Sequence, residues 1–204
     1  MNRGSLKIVV GLGNPGAQYS ATRHNVGFMA IDRWVGTRDW KPSSDYLWVR
    51  FSEGGNPVVA LKPMTFMNLS GVAVKQAAAR FGAKVGDILV VHDDMDLPLG
   101  TLKMKQHGGS GGHRGVESVI YELGDDRFSR IRVGIGHPVT GNVVDFVLQP
   151  FDPAEFQVIE HELPLIVKGI RSWVRVGVRR AMNDFNRTRN LNSFPNGDEG
   201  HKEV

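Results

Sequence analysis

The sequence predicts an α/β fold, a single domain in which helices flank a twisted, mixed β-sheet. Short runs rich in Val, Ile and Leu alternate along the chain with segments of helical periodicity, the order of elements typical of α/β proteins. Several of these runs are almost continuously apolar, as in strands that are covered on both faces. Two of them, at 46–51 and 57–61, are close enough in sequence to predict a hairpin, which makes the sheet mixed.

Seven short segments have the composition of strands, with β-branched and aromatic residues prominent in most of them. In chain order they are 6–10 (LKIVV), 46–51 (YLWVRF), 57–61 (PVVAL), 87–91 (DILVV), 101–105 (TLKMK), 130–135 (RIRVGI) and 143–148 (VVDFVL).

Four segments have the apolar periodicity of helices. They are 25–36, 71–82, 115–124 and 153–186. Gly82 and Gly124 each end such a pattern, where glycine readily adopts the left-handed conformation that closes a helix. In the last segment Asp152 is a candidate N-cap, and Pro164 predicts a break or kink.

Length and composition indicate one globular domain, which we place at residues 1–189. The 204 residues are 41% hydrophobic and 23% charged, which is ordinary for a soluble protein. Residues 190–204 (NLNSFPNGDEGHKEV) have few apolar side chains and predict a disordered tail.

The composition constrains the cellular compartment and the binding partners of the protein only loosely. The chain has no cysteine, which rules out disulfides and thiolate metal sites and fits a cytoplasmic location. The apolar run at 8–10 is too short for a signal peptide or a membrane span. The net charge of +4 and the pI of about 9.5 favour a nucleic-acid partner modestly.

The last predicted helix carries basic side chains at helical spacing. They are Lys168, Arg171, Arg175 and Arg179. They form either the solvated face of a docked helix or a stripe that follows phosphates.

The segment GLGNPG contains Gly11, Gly13 and Gly16 in the spacing G-x-G-x-x-G of dinucleotide-binding loops. That function needs a helix that begins directly at the turn and offers free N–H groups to a pyrophosphate. Here Pro15 has no N–H, and the next helical pattern begins only near Asn25. The context therefore argues against a nucleotide and leaves a hydrolytic site as the alternative.

Four segments concentrate polar and glycine residues near predicted strand ends. They are 14–25, 62–71, 92–100 and 105–115. In open α/β sheets the loops beyond the carboxyl ends of strands converge on one crevice, so these segments favour a shared site.

His24 is either a structural hydrogen-bonding residue or a general base. A carboxylate from Asp93 or Asp94, at the end of a strand, would hold one imidazole nitrogen so that the other can take a proton from water. Asn14 and Asn68 offer amide donors for an oxyanion. No G-x-S-x-G motif occurs, so water is the better nucleophile.

The acidic run HDDMD has two interpretations. Asp93, Asp94 and Asp96 could hold Mg²⁺ through oxygen, or they could form caps and turns. The histidines lack the H-x-x-x-H and H-E-x-x-H spacings of zinc sites. We predict no metal and no cofactor.

The glycine-rich segment 105–115 is either a flexible lid or a wall of the site that meets a phosphate. Lys103, Lys105 and Arg114 lie in or beside this segment, and Arg132 adds a cation on a neighbouring strand.

Five ordered motifs together resemble the bacterial peptidyl-tRNA hydrolase family over about residues 7–186. The motifs are GLGNPG followed by Y-x-x-T-R-H-N-x-G, P-x-T-F-M-N-x-S-G, H-D-D-x-D-L-P-x-G, G-G-x-G-G-H-x-G and R-x-R-x-G-I-G-x-P. The resemblance implies a single α/β domain, usually monomeric and metal-independent. It also implies hydrolysis of the ester between a peptide and the 3′ ribose of tRNA, which recycles peptidyl-tRNA from stalled or aborted translation.

The resemblance also implies roles for individual residues. His24 would be the base that activates water and Asp93 would orient it, while Asn14 and Asn68 would bind the peptide end and stabilise the intermediate. Three further residues would line the cleft: Tyr19, Asn25 and Met67. Lys105 and Arg132 would clamp the tRNA 5′-phosphate, and the loop after Gly108 and the last helix would embrace the acceptor arm.

Arg114 departs from the family pattern, in which asparagine is common at this position and contacts the peptide backbone and a water. A guanidinium donates but cannot accept hydrogen bonds, so that role does not transfer. A catalytically inactive RNA-binding relative, as used in intron splicing, is the alternative function; the presence of His24 and Asp93 argues against it.

Overall fold

A seven-stranded sheet runs through the protein in the order β2-β3-β4-β1-β5-β7-β6. The structure, a computed structural model, describes residues 5–138 and 142–190, with side chains described up to residue 186. The strands are β1 (Lys7–Gly11), β2 (Lys41–Pro42), β3 (Tyr46–Glu53), β4 (Asn56–Pro63), β5 (Ile88–Asp94), β6 (Leu102–Lys105) and β7 (Ser129–Gly134). The helices are α1 (Val26–Val35), α2 (Ser70–Phe81), α3 (Arg114–Leu123), α4 (Val143–Leu148), α5 (Pro153–Val176) and α6 (Val178–Asn190).

The sheet is mixed, as predicted. Strand β1 lies between β4 and β5 and is parallel to both, and β5 is parallel to β7. The predicted hairpin is formed by β3 and β4, and β6 pairs antiparallel with β7. Strands β4, β1, β5 and β7 therefore end at the same edge of the sheet, where the polar loops follow them.

Two apolar clusters cover the faces of the sheet. Alternate residues of β1 point to opposite faces, so Val9 belongs to one cluster and Ile8 and Val10 belong to the other. The Val9 cluster includes residues of α1 and α5, and the other includes residues of α2 and α3. This two-sided covering explains why the central strands are almost continuously apolar.

The predicted caps are confirmed. Gly82 and Gly124 have φ of 66° and 65° and close α2 and α3 in the left-handed conformation. Asp152 begins α5 in a capping box: its carboxylate accepts the Glu155 N–H, and the Glu155 carboxylate accepts the Asp152 N–H.

One predicted strand is wrong, and of the break or kink predicted at Pro164 the break does not occur. Residues 143–148 form helix α4 and not a strand, because Asn142 accepts the Val144 N–H at 2.8 Å and caps a helix. Helix α5 continues through Pro164 and ends only before Gly177, whose φ is 77°. Pro164 is exposed, so water can satisfy the carbonyl that a helical proline leaves unpaired.

The tail predicted at 190–204 lies outside the described residues except for Asn190, which ends α6. Within the described residues, no helix combines the length and apolarity needed to cross a bilayer.

Candidate active site

Three side chains from different elements meet at the edge where the parallel strands end. His24 lies in a short 3-10 turn (Arg23–Asn25) before α1, Asp93 lies near the end of β5, and His113 is the N-cap of α3. The Asp93 carboxylate lies 2.9 Å from His24 Nδ1 and 2.8 Å from His113 Nε2. All three side chains are largely buried, with 11%, 2% and 8% exposure for His24, Asp93 and His113.

The hydrogen bonds determine which nitrogens carry protons. His113 Nδ1 accepts the backbone N–H groups of Gly115 and Val116, so its proton lies on Nε2 and is donated to Asp93. His24 donates from Nδ1 to the same carboxylate. The Nε2 of neutral His24 therefore keeps its lone pair, which is the form that a general base requires.

Charge in this cluster stabilises an ionised Asp93 and a protonated His24. Burial alone would raise the pKa of Asp93, but the two imidazoles lower it to well below its ordinary value. Burial alone would lower the pKa of His24, but the charge and hydrogen bond of Asp93 raise it above its ordinary value. The charge of Arg114 opposes this increase.

Asn14 is held in place beside this cluster. Its Oδ1 accepts the Met67 N–H at 2.8 Å, and its backbone N–H and C=O are both bonded to the amide of Asn25. Because Oδ1 is occupied, the Nδ2 group is the part of the Asn14 amide that remains available as a donor.

A cleft of about 330 Å³ opens over these residues. Its polar lining consists of Asn14, His24, Asn68, Asp93, His113 and Arg114, together with Asp94, Asp96 and the loop 110–112. Its apolar lining consists of Phe66, Met67, Met95 and four residues of α4: Val143, Val144, Val147 and Leu148. The cleft can hold a polar reacting group against a non-polar chain.

Not every residue expected in the cleft lines it. The expected residues that line the cleft are His24, Asp93, Asn14, Asn68, Met67 and Arg114. Asn25 is 2% exposed and lies behind Asn14, so it positions that residue and is not part of the cleft wall. Tyr19 is half-buried and is also outside the cleft lining.

The three cations expected to contact tRNA have different surroundings. Arg132 Nε is bonded to the Asp94 carboxylate, so this guanidinium is already paired. Lys103 lies opposite Arg132 in the β6–β7 ladder and is exposed, whereas Lys105 is half-buried beside Gly108. All three lie outside the cleft lining. Sequence spacing placed these cations on neighbouring strands but could not show which of them an acidic side chain neutralises.

The basic stripe of the last predicted helix is partly neutralised as well. Arg171 and Arg175 lie 3.3 Å and 3.0 Å from the Glu53 carboxylate, where α5 packs against the β3–β4 hairpin. These contacts fit the docked-face interpretation for two of the four residues. Lys168 and Arg179 are exposed.

His113 and Arg130 have functions that sequence reasoning missed. The Arg130 guanidinium is bonded to the carbonyls of Gly108 and Gly109 and so supports the glycine loop. Two signals pointed to His113: its place in the motif G-G-x-G-G-H-x-G and its position just before the third predicted helix, where an N-cap belongs. Histidine is not, however, a typical N-cap residue.

Two carboxylates of the acidic run HDDMD, those of Asp93 and Asp94, are hydrogen-bonded to other groups of the same chain. Asp94 Oδ1 accepts the Asp96 N–H at 3.0 Å, and Oδ2 binds Arg132. The ligand atoms of His24, Asp93 and His113 lie within 4.8 Å of one another, as a metal site would require. Adjacent ones are 2.8–2.9 Å apart, a hydrogen-bond distance and shorter than the ~3.3 Å between ligands around tetrahedral zinc. These contacts fit the cap, turn and hydrogen-bonding interpretation.

Comparisons with known proteins agree on one family. The family model "Peptidyl-tRNA hydrolase" matches residues 8–193. A curated peptidyl-tRNA hydrolase of Carboxydothermus hydrogenoformans is 42% identical over 88% of this chain and 98% of its own length. A curated peptidyl-tRNA hydrolase of Fervidobacterium nodosum is 44% identical over 88% of this chain and 95% of its own length. The crystal structure of peptidyl-tRNA hydrolase from Acinetobacter baumannii superposes with a TM-score of 0.82 at 30% identity, covering 91% of this chain and 97% of that one.

Proposed function

The chain belongs to the peptidyl-tRNA hydrolase family, and from this premise we propose that it cleaves the peptidyl-tRNA ester with a water molecule activated by His24. The observation that carries the proposal is the hydrogen bond from His24 Nδ1 to the buried Asp93 carboxylate. In the neutral imidazole it leaves the other ring nitrogen of His24, a cleft-lining residue, able to accept a proton.

The proposed reaction proceeds in two steps. His24 Nε2 takes a proton from water while the water oxygen attacks the ester carbonyl carbon, and Asp93 stabilises the resulting imidazolium. The tetrahedral intermediate then expels the 3′ oxygen of the ribose, which receives the proton from His24. The products are a peptide carboxylate and a free tRNA hydroxyl.

Two amide groups are proposed to bind the oxyanion and the peptide. Asn14 Nδ2 is pre-oriented because Met67 and Asn25 hold the rest of that residue. Asn68 is exposed on the rim of the same cleft. Donors fixed before the reaction stabilise developing charge without reorganisation.

The wider function follows the family premise. We propose that the substrate is peptidyl-tRNA released by stalled or aborted translation, bound through its acceptor arm and 3′ end. Lys103 and Lys105 are proposed to contact its phosphates, and Tyr19 the RNA near the 3′ end. We further propose a cytoplasmic monomer that needs no cofactor, metal or obligate protein partner.

The test is release of N-acetyl-amino acid from N-acetyl-aminoacyl-tRNA. We expect His24→Ala to lower kcat by at least ~10²-fold, the usual contribution of a general base. His161→Ala is the matched control, because His161 is exposed on α5 away from the cleft. Near-normal kcat in the His24 variant would contradict the assigned role.

Two further outcomes separate the alternatives. Absence of turnover by the unmodified protein, with tRNA binding retained, would indicate an inactive RNA-binding relative. Loss of activity in EDTA, restored by a divalent cation, would indicate a metal-dependent reaction.

A further inference from the structure

Arg114 is distinguished from the other cations near the cleft by its place in the cleft lining. It is the first residue of α3 and is exposed, and it is the only lysine or arginine among the described residues that line the cleft. Arg132, by contrast, is paired with Asp94, and Arg130 is bonded to loop carbonyls. No ion pair of Arg114 occurs among the side chains that the structure describes.

Two of the first backbone N–H groups of α3 already have an acceptor. The His113 imidazole accepts the N–H groups of Gly115 and Val116. The guanidinium of Arg114 is the cationic group at this end of the cleft. Its charge also reaches the reacting centre, since it lowers the pKa of His24 against the larger effect of Asp93.

No carboxylate that lines the cleft forms an ion pair with Arg114 in the described structure. Asp93 is bonded to two imidazoles and Asp94 to Arg132. Asp96 is exposed, with no ion pair to Arg114 within 4.0 Å in the described structure. A guanidinium without an ion pair among the described side chains, in the same cleft as His24, favours a ligand whose negative charge lies at the reaction centre.

We propose that Arg114 binds the C-terminal carboxylate of the released peptide and so makes the enzyme sensitive to its own peptide product. The proposal rests on the proposed function, in which a neutral ester becomes a carboxylate. A guanidinium forms charge-assisted bonds with a carboxylate and only weaker ones with an ester carbonyl. Hydrolysis therefore increases the affinity of the acyl part for this site.

The apolar lining of the cleft defines the ligand further. Val143 and Val144 of α4 are 41% and 40% exposed, and Leu148 and Phe66 are exposed in the same cleft. An N-acylated amino acid with an apolar side chain and a free carboxylate matches both the apolar lining and Arg114. N-acetylleucine is the simplest probe of this class.

Direct binding tests the proposal without turnover. We expect the full-length protein to bind N-acetylleucine about tenfold more tightly than N-acetylleucinamide in NMR titrations, the scale of one charge-assisted hydrogen bond. Arg114→Gln should bind both alike, and Arg114→Lys should keep part of the preference. Arg33→Gln is the control, because Arg33 is exposed on α1 outside the cleft and should behave as the wild type. Equal affinities in the wild type, or a preference that survives in Arg114→Gln, would overturn the proposal.

A phosphate of the tRNA is the alternative source of negative charge, and a parallel titration with adenosine 5′-monophosphate distinguishes it. If Arg114→Gln weakens nucleotide binding but leaves the carboxylate preference intact, Arg114 is a phosphate site and the proposal is wrong.

Inhibition of hydrolysis provides the second readout. N-acetylleucine should inhibit the wild type about tenfold more strongly than Arg114→Gln. Failure of the wild type to hydrolyse acyl-tRNA would refute the proposed function, whereas the binding titrations would still report on Arg114 alone.

Discussion

Asp93 determines the chemistry of the site at the scale of single residues. It accepts from His24 and from His113, and His113 cannot change its role because its Nδ1 is used by the backbone of α3. The single carboxylate therefore fixes the tautomer of the base, while a second histidine fixes the orientation of the carboxylate.

We expect Asp93→Asn to lower kcat by on the order of 10²–10⁴-fold, as loss of a tautomer-fixing carboxylate does in hydrolytic triads. The Asn Oδ1 must accept from His113 Nε2, so its NH₂ faces His24 and forces the His24 proton onto Nε2. Single-turnover hydrolysis measures the rate, and ¹⁵N NMR of the His24 ring identifies the tautomer.

Asp39→Asn, on an exposed side chain, is the matched control for that variant. An Asp93→Asn protein that retains kcat, or in which His24 still carries its proton on Nδ1, would contradict the tautomer argument.

At the scale of elements, the close contact of α1 with the sheet brings His24 to Asp93. Gly27, in the first turn of α1, lies against the ends of β1 and β5. A methyl group there would lie 2.4 Å from the Leu12 carbonyl oxygen and 2.5 Å from the Val91 carbonyl oxygen. Only glycine permits this approach, and His24 lies three residues before it.

Gly27→Ala should therefore destabilise the protein by about 1–3 kcal/mol, the range for overpacking in a core, and should lower kcat by displacing His24 from Asp93. Denaturant unfolding and acyl-tRNA hydrolysis measure the two effects. Gly86→Ala is the control, because a methyl group at Gly86 would contact nothing within 4 Å. Equal unfolding free energies in the two variants would refute the role of this contact.

Helix α4 shows where periodicity fails as a guide. Its six residues VVDFVL suit a strand by composition, but a run this short has too few positions to separate the two periods. In the structure the Asn142 cap and the burial of Val147 stabilise a helix. The exposed valines of this helix belong to the apolar lining of the cleft.

For the whole molecule, His92 links stability to pH. Burial lowers the pKa of His92 to well below its ordinary value. Its Nδ1 is bonded to the Asp93 carbonyl oxygen, and Nε2 has no hydrogen-bond partner in the part of the chain described. Below about pH 6.5 the unfolded chain binds a proton here that the folded protein does not, so stability falls as pH falls.

We expect His92→Asn to reduce the slope of the unfolding free energy between pH 6.5 and 5 by up to about 1.4 kcal/mol per pH unit. His24 does not cancel the effect: its raised pKa contributes stability that is complete below pH 6.5 and is lost as pH rises through the folded pKa. Urea unfolding at several pH values gives the slope. An unchanged slope would mean that His92 does not stay neutral in the fold.

The excess positive charge should act on tRNA through a few cations outside the cleft, among them the half-buried Lys105. We expect Lys105→Ala to weaken tRNA binding and reduce the slope of log K against log salt by about one unit or less, as for loss of one phosphate contact. Lys84→Ala, on an exposed lysine outside the cleft lining, is the control. A salt slope identical to that of the wild type would remove Lys105 from the interface.

The sequence alone was enough to predict the α/β class, the mixed sheet, the caps at Gly82, Gly124 and Asp152, and the pairing of His24 with an aspartate near the end of a strand. These features depend on local chemistry: the apolar period of a segment, the conformational freedom of glycine, and the rule that parallel strands end at one edge. The three-dimensional arrangement was needed to show that His113 shares Asp93, that Arg132 is paired with Asp94 and that Arg114 has no ion pair among the described side chains. Those facts depend on distances between residues far apart in the chain, which folding sets and no local pattern records.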